Sequence, residues 1–203
     1  MNPDIFVIQE CEKNHKLDIP NIWIGDNINK GICIFSDKFE MKVHPWYDPN
    51  YKYIIPIEFS NTDIKFTLFA VWKKISKGKE DANQLLNAFN YYKGYFTSGT
   101  IIVGDFNNNF KLDKKYNFGK YNFENVVKLL SDNDIDSIYH KLNESHGNEN
   151  KSTFFLQRNR DKPHHLDYCF TDFKNTNIEI GGIEWLESSD HMPLKITFNN
   201  YDI

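Results

Sequence analysis

IIVGDFNNN, residues 101–109, runs three β-branched apolar residues into a glycine, then an acid, an aromatic and three consecutive amides. The apolar run has the composition of a strand covered on both faces. The polar residues after it include neither hydroxyl nor thiol. Asn and Asp hydrogen-bond their own backbone and tolerate left-handed conformations, so one reading of the cluster is a turn. The other is that a strand end so rich in carboxylate and amide oxygens serves a function. The rest of the chain decides between them.

Strand-like segments dominate on both sides of this stretch: residues 4–9, 21–25, 31–36, 39–44, 51–60 and 63–72 before it, and 153–157, 165–171, 178–185 and 194–198 after it. Some are continuous apolar runs and others alternate, as strands with one wet face do. Two segments have helical periodicity instead. Residues 81–96 place Leu85, Leu86, Phe89, Tyr92 and Phe96 on one stripe, with Asp81 and Gln84 spaced as a capping box, and residues 122–131 do the same with Phe123, Val126, Val127 and Leu130. Many strands with few long helices predict an α/β (α+β) fold, a four-layer sandwich of two packed, mainly antiparallel sheets flanked by helices. With no repeat, linker or break in composition, residues 1–203 read as one domain.

A net charge of −4 argues against a protein that coats nucleic acid through a basic surface, but not against an enzyme whose acids hold a metal against phosphate. Cys11, Cys33 and Cys169 are dispersed, which disfavours structural zinc on thiolates and predicts reduced thiols in a cytoplasmic protein. No signal peptide is visible at the N-terminus, and no window has the roughly 18 apolar residues of a membrane span.

Several strands end in polar groups. Glu10 closes DIFVIQE, Asp105 and Asn107 follow TIIVG, and Asp190 and His191 precede the last strand. Each has a plain alternative: a strand-end charge, a cap, a satisfied polar residue. Asp167 does not, because a carboxylate between Leu166 and Tyr168 in a strand is costly to bury without a partner. Strand alternation places it on one face with His165 and Cys169. Its partner is either His165 or a histidine from elsewhere, since an Asp set against a histidine is a recurrent catalytic arrangement.

In order and separation, PDIFVIQE (3–10), GDFN (104–107), HLDY (165–168) and SDHMPL (189–194) resemble the endonuclease/exonuclease/phosphatase superfamily, the DNase I-like proteins. The resemblance spans residues 2–198. It implies that Glu10 is a Mg²⁺ ligand, that Asp105 and Asn107 position the attacking water and contact the phosphoryl group, and that Asp190 is a second carboxylate serving the metal. It implies further that His191 contacts phosphate and that Asp167 is its partner. Mg²⁺ suits such oxygen ligands and Mn²⁺ can replace it. Lys30, Trp72 and His165 are candidate substrate-binding residues, Trp72 for packing or base stacking, and Lys73, Lys74, Lys77 and Lys79 form a basic run able to track a backbone.

Relatives begin with a strand bearing a metal-side asparagine and then a helix, whereas here PDIFVIQE starts at Pro3. The expectation is a shortened member whose exposed strand edge invites self-association. The function expected is a Mg²⁺-dependent phosphodiester hydrolase, a nuclease on DNA or RNA. The alternatives are a phosphatase or phosphodiesterase on a small phosphorylated metabolite or lipid headgroup, and a non-catalytic binding relative.

Overall fold

The pattern KFTLFAVW alternates two apolar sets, and both are buried. In the computed structural model this is β6 (Lys65–Trp72), where Phe66, Leu68, Ala70 and Trp72 enter one core while Phe69 and Val71 enter another. The structure describes residues 3–74, 79–116, 119–143 and 145–199, without the side chains of 79–83. Met1, Lys77 and the side chains of Lys79 and Asp81 therefore lie outside the described residues.

β6 sits within a six-stranded sheet ordered β4 (Glu40–Val43), β5 (Ile54–Ser60), β6, β7 (Ile101–Asp105), β11 (Asp167–Thr171) and β8 (Asp136–Ser137). Every pairing is antiparallel except β6 with β7. A parallel pair needs a crossover, and α1 (Lys79–Tyr92) supplies it. Leu85, Ala88, Phe89 and Tyr92 of α1, with Phe123, Val126 and Leu130 of α3 (Phe123–Ser131), cover one face of the sheet. The helical stripe ends earlier than its periodicity suggests, because Gly94 follows and Lys93–Tyr95 turns as a 3₁₀ segment. Phe96 still packs, with its ring 5.6 Å from that of Phe69.

The other face is covered by two smaller sheets in place of one. The first is ordered β1 (Phe6–Cys11), β3 (Lys30–Phe35), β2 (Asn21–Asn27), and the second pairs β12 (Thr176–Ile180) with β13 (Leu194–Phe198). β1 packs across β7 and β13 across β11. Since β7 and β11 are neighbours, the interruption in this layer lies over the seam that carries GDFN and LDY. Among the described residues, β1 pairs only with β3 and β13 only with β12. A hairpin of β9 (Phe154–Phe155) and β10 (Pro163–His164), and the short helices α2 (Phe110–Tyr116) and α4 (Ile138–Leu142), complete the elements.

Several expected strands start late, as 51–60 does at Ile54, and two others are cut short at their C-terminal ends. The segment 178–185 stops at Ile180 because Gly181 and Gly182 break it, and Ile183–Glu187 turns as a 3₁₀ helix. The segment 153–157 keeps only Phe154–Phe155, since Gln157 takes a left-handed conformation at φ 57°.

Gly104 has a constraint of its own. Its φ is +142°, and a Cβ there would collide with the carbonyl oxygen of Val71 on the adjacent strand. Gly104→Ala is expected to lower the unfolding free energy by roughly 2–4 kcal/mol in urea titrations, from backbone strain and overpacking together. Gly94→Ala, whose Cβ would meet nothing within 4 Å, is the control and should change stability by less than about 1 kcal/mol.

Candidate active site

β7 and β11 pair so that Asp105 stands directly opposite Asp167. Alternation sends both carboxylates to the side of Val103 and Cys169, toward the smaller sheets, while Tyr168 and Phe170 face the helices. Asp105 is 3% exposed and Asp167 8%. Two carboxylates facing each other across a dry strand pair repel, and the structure answers with a cation. Nδ1 of His191 lies 2.9 Å and 3.2 Å from the two oxygens of Asp167. Burial alone would lower the pKa of His191. The hydrogen bond to Asp167, with the charges of Asp167, Asp105 and Asp190, instead raises it to about 9. Asp105 is pushed up by its own burial and then by Asp167, against the pull of His191 and of the Asn107 N–H.

The three amides after Asp105 have separate tasks. Asn107 occupies the left-handed region at φ 46°, which Asn tolerates better than most residues. From there its backbone N–H donates to Asp105 Oδ1 at 2.8 Å, and its Nδ2 donates to Asp105 Oδ2 at 2.5 Å and to the Lys73 carbonyl at 2.9 Å. Both oxygens of Asp105 are thereby held. Asn109 accepts from Leu112 N–H at 2.8 Å, closing the first turn of α2, and reaches the His165 carbonyl at 3.2 Å; Asn108 is buried and accepts from Asn109 N–H. The cluster is a turn whose amides also fix the Asp105 carboxylate.

Thr153 positions the other half. Fully buried, its hydroxyl accepts from the N–H groups of Leu166 and Asp167 at 2.9 Å and 3.0 Å. The adjacent Phe154 bridges to the backbone of His191 and lies 4.7 Å from its ring. Arg158 in the same hairpin donates to the carbonyls of Glu187 and Ser188, fastening the segment that leads to His191. Neither Thr153 nor Phe154 carries a sequence signal, because their roles arise from contacts distant along the chain.

The other sequence candidates fall in different places. Glu10, left-handed at φ 57°, lies in the bulge of β1 one residue before its end and pairs with Lys30 Nζ at 2.6 Å. It is half-exposed yet close enough to add to the negative field on Asp105. Asp190 acts on His191 in the same way, and its carboxylate has no hydrogen bond or ion pair among the described residues. Trp72 is 3% exposed and packs edge-on against Tyr53 with centroids 4.8 Å apart, so it packs and does not offer a stacking face. His165, expected against phosphate, is 4% exposed and sits among Tyr139, His140 and Tyr168; this burial corrects its assignment as a substrate contact. Of the basic run, Lys73 is buried and Lys74 pairs with Asp26.

No known protein-family profile matches the sequence, and no curated protein matches it by sequence. Solved structures do match. An AP endonuclease from Archaeoglobus fulgidus superposes with a TM-score of 0.67 over 98% of this chain and 90% of its own, at 18% identity. A 3′-5′ exonuclease (NExo) from Neisseria meningitidis gives 0.65 over 97% and 90%, at 14% identity. TDP2 of D. rerio, complexed with a single strand DNA product, gives 0.65 over 98% and 86%, at 15% identity.

The fold is DNase I-like.

DNase I-like folds are typically metal-dependent, and one group of residues here is able to hold an ion. Asp105, Asp167 and His191 bring ligand atoms within 4.8 Å of one another. Beside them the carboxylate of Glu10 already attracts a positive charge, the ammonium of Lys30.

The raised pKa of His191 has a consequence for stability. A histidine whose folded pKa exceeds its unfolded value of 6.5 contributes stability that is complete below pH 6.5 and is lost as pH rises through about 9. In metal-free buffer the melting-temperature gap between the parent and His191→Gln should be widest near pH 6 and shrink toward pH 9. After discounting for a ring about one-third exposed, it corresponds to about 1–2 kcal/mol.

Proposed function

We propose that this chain is a divalent-metal-dependent phosphodiester hydrolase acting on nucleic acid. The observation that carries the reading is the facing of the clamped Asp105 and the Asp167–His191 pair across adjacent strands. Hydrolysis of a phosphodiester requires a base for water on one side of phosphorus and charge stabilisation on its oxygens. Asp105, made more basic by burial and held by Asn107, takes the proton of the attacking water. As the water oxygen bonds to phosphorus, His191, kept protonated by Asp167, donates from Nε2 to a phosphate oxygen and steadies the charge gathering there. The bond to the leaving oxygen then breaks. Glu10 and Asp190, which stand outside the Asp105–Asn107 and Asp167–His191 hydrogen bonds, would hold Mg²⁺, Glu10 giving up its pairing with Lys30. When bound, the ion supplies neutralising charge to the phosphate.

Nucleic acid is favoured over a small phosphoester by what borders His191. Phe154 lies beside it and His164 lies 6.3 Å beyond Phe154, with Lys111 and Lys115 near enough to depress the titration of His164 after burial has done so. Arg160 and Lys162 lie in the same hairpin. An aromatic next to the reacting group, followed by cations, suits a base and its backbone. The protein of known structure bound to a single strand DNA product shares this fold.

Cleavage of plasmid DNA, single-stranded DNA, RNA and an aryl phosphodiester should be compared with added Mg²⁺ or Mn²⁺ and with EDTA. Chelation should abolish activity and either metal restore it. Asp105→Asn and His191→Gln should each lower kcat by about 10² to 10⁴ with the fold retained by circular dichroism; activity within a few-fold of the parent removes the assigned roles. Phe154→Ala should lower kcat/KM on single-stranded DNA by about 10- to 100-fold and leave the aryl ester nearly unchanged. An equal loss on both substrates would point to a small-molecule phosphoesterase.

A further inference from the structure

A second group of ionisable side chains lies where α4, the segment 145–153 and the approach to β11 meet. Imidazole and carboxylate atoms of His140, His146 and Glu149 lie within 4.8 Å of one another. The side chains of His140 and Glu149 are 6% and 2% exposed, and His165 is 4% exposed with its ring 5.5 Å from that of His140. None of these residues is needed by the chemistry proposed above.

The hydrogen bonds leave this group incomplete. His165 Nδ1 is 2.9 Å from the carbonyl of Lys151. A carbonyl only accepts, so Nδ1 carries the hydrogen and Nε2 of the neutral ring is a bare acceptor. That Nε2 is buried with no partner, and so is Nδ1 of His146. An unsatisfied buried polar atom costs about 1–3 kcal/mol, and two in one pocket call for an explanation. His140 has its Nδ1 on Ser137 Oγ at 2.7 Å, which orients Nε2 toward Glu149 Oε1 at 3.3 Å. His165, with one ring nitrogen fixed by a carbonyl and the other left over, is held as metal-binding histidines are. Gly147, at φ +88°, turns the chain between His146 and Glu149, and its N–H supports Glu149 Oε1 at 2.7 Å.

We propose that His140, His146 and Glu149 form a structural site for Zn²⁺ or a similar borderline divalent ion, completed by His165. Imidazoles with one carboxylate are a zinc set, in contrast to the oxygen-rich active site. Bonds of 2.0–2.2 Å in a tetrahedron imply donors about 3.4 Å apart; His140 Nε2 and Glu149 Oε1 already stand at 3.3 Å, and the His146 ring, stacked on His140, turns out of the stack to aim a nitrogen at the ion. Lys111, whose Nζ lies 3.6 Å from Glu149 Oε2 and is mostly exposed, swings away at little cost. Packing alone accounts for less: the His140–His146 stack at 3.5 Å, with Phe110 4.8 Å from His146, leaves both orphan nitrogens unexplained. The ion would fasten the segment that ends in Thr153, and Thr153 holds the backbone of Asp167.

The test uses the full chain, stripped with chelator and dialysed. Titration with Co²⁺ should produce the visible absorption of a four-coordinate ion at one equivalent, displaced by Zn²⁺ and unaffected by excess Mg²⁺. Zn²⁺ alone should raise the melting temperature. His146→Gln and Glu149→Gln should each weaken Co²⁺ binding at least about tenfold and remove the Zn²⁺-dependent shift, whereas His191→Gln should keep both. Absence of a stoichiometric complex in the parent overturns the proposal whatever the variants do. So does a complex that survives His146→Gln and Glu149→Gln but is lost in His191→Gln, which would place the ion on Asp105, Asp167 and His191. Should His146→Gln not fold, the parent titration and Glu149→Gln decide.

Discussion

Burying Asp105 opposite Asp167 sets a problem in electrostatics that much of this molecule is arranged to solve. Unpaired, two carboxylates at exposures of 3% and 8% would each lose hydration worth several kcal/mol. Every nearby element contributes to the balance. Asn107 twists into a left-handed conformation to hold both oxygens of Asp105, Thr153 fixes the backbone of Asp167, and His191 arrives from 24 residues further along as the compensating cation. Removal of His191 leaves buried charge without its counterpart, and removal of Asn107 or Thr153 leaves buried polar groups unpaired, so these contacts carry stability.

That arrangement is possible because the strands beneath it are rigid. β6 is buried along both faces, and its apolar residues split cleanly between the helix-side core and the sheet-side core. Gly104 lets β7 approach β6 so closely that no side chain fits between. The carboxylates project from strands that cannot shift register without exchanging both cores. Glu10, Phe154, Asp190 and the hairpin between β9 and β10 come from strand ends and loops around that scaffold.

The two candidate cation sites differ in donor chemistry. One gathers two carboxylates and one imidazole beside half-exposed Glu10; the other gathers two imidazoles and one carboxylate, with the buried ring of His165 5.5 Å from that of His140. Thr153 links them mechanically, since the segment carrying His146 and Glu149 ends where the hydroxyl grips Asp167.

Local pattern was enough to find the strands, both long helices and the acids at strand ends. Asp105 and Asp167 could be placed on strands, and the histidine partner of Asp167 could be named through the resemblance, because period-2 alternation and turn chemistry are written in neighbouring residues. The ends of the segments 178–185 and 153–157 were not legible. A pair of glycines and one left-handed glutamine override strand propensity only in the packed context. Nor could sequence say that Lys30 would neutralise Glu10, that Trp72 and His165 would be buried, or that Phe154 would border His191. The register that sets residue 105 against residue 167 joins positions 62 apart. Which charge meets which partner across such a distance is decided by the closing of both cores around the sheet, and only the tertiary structure holds that information.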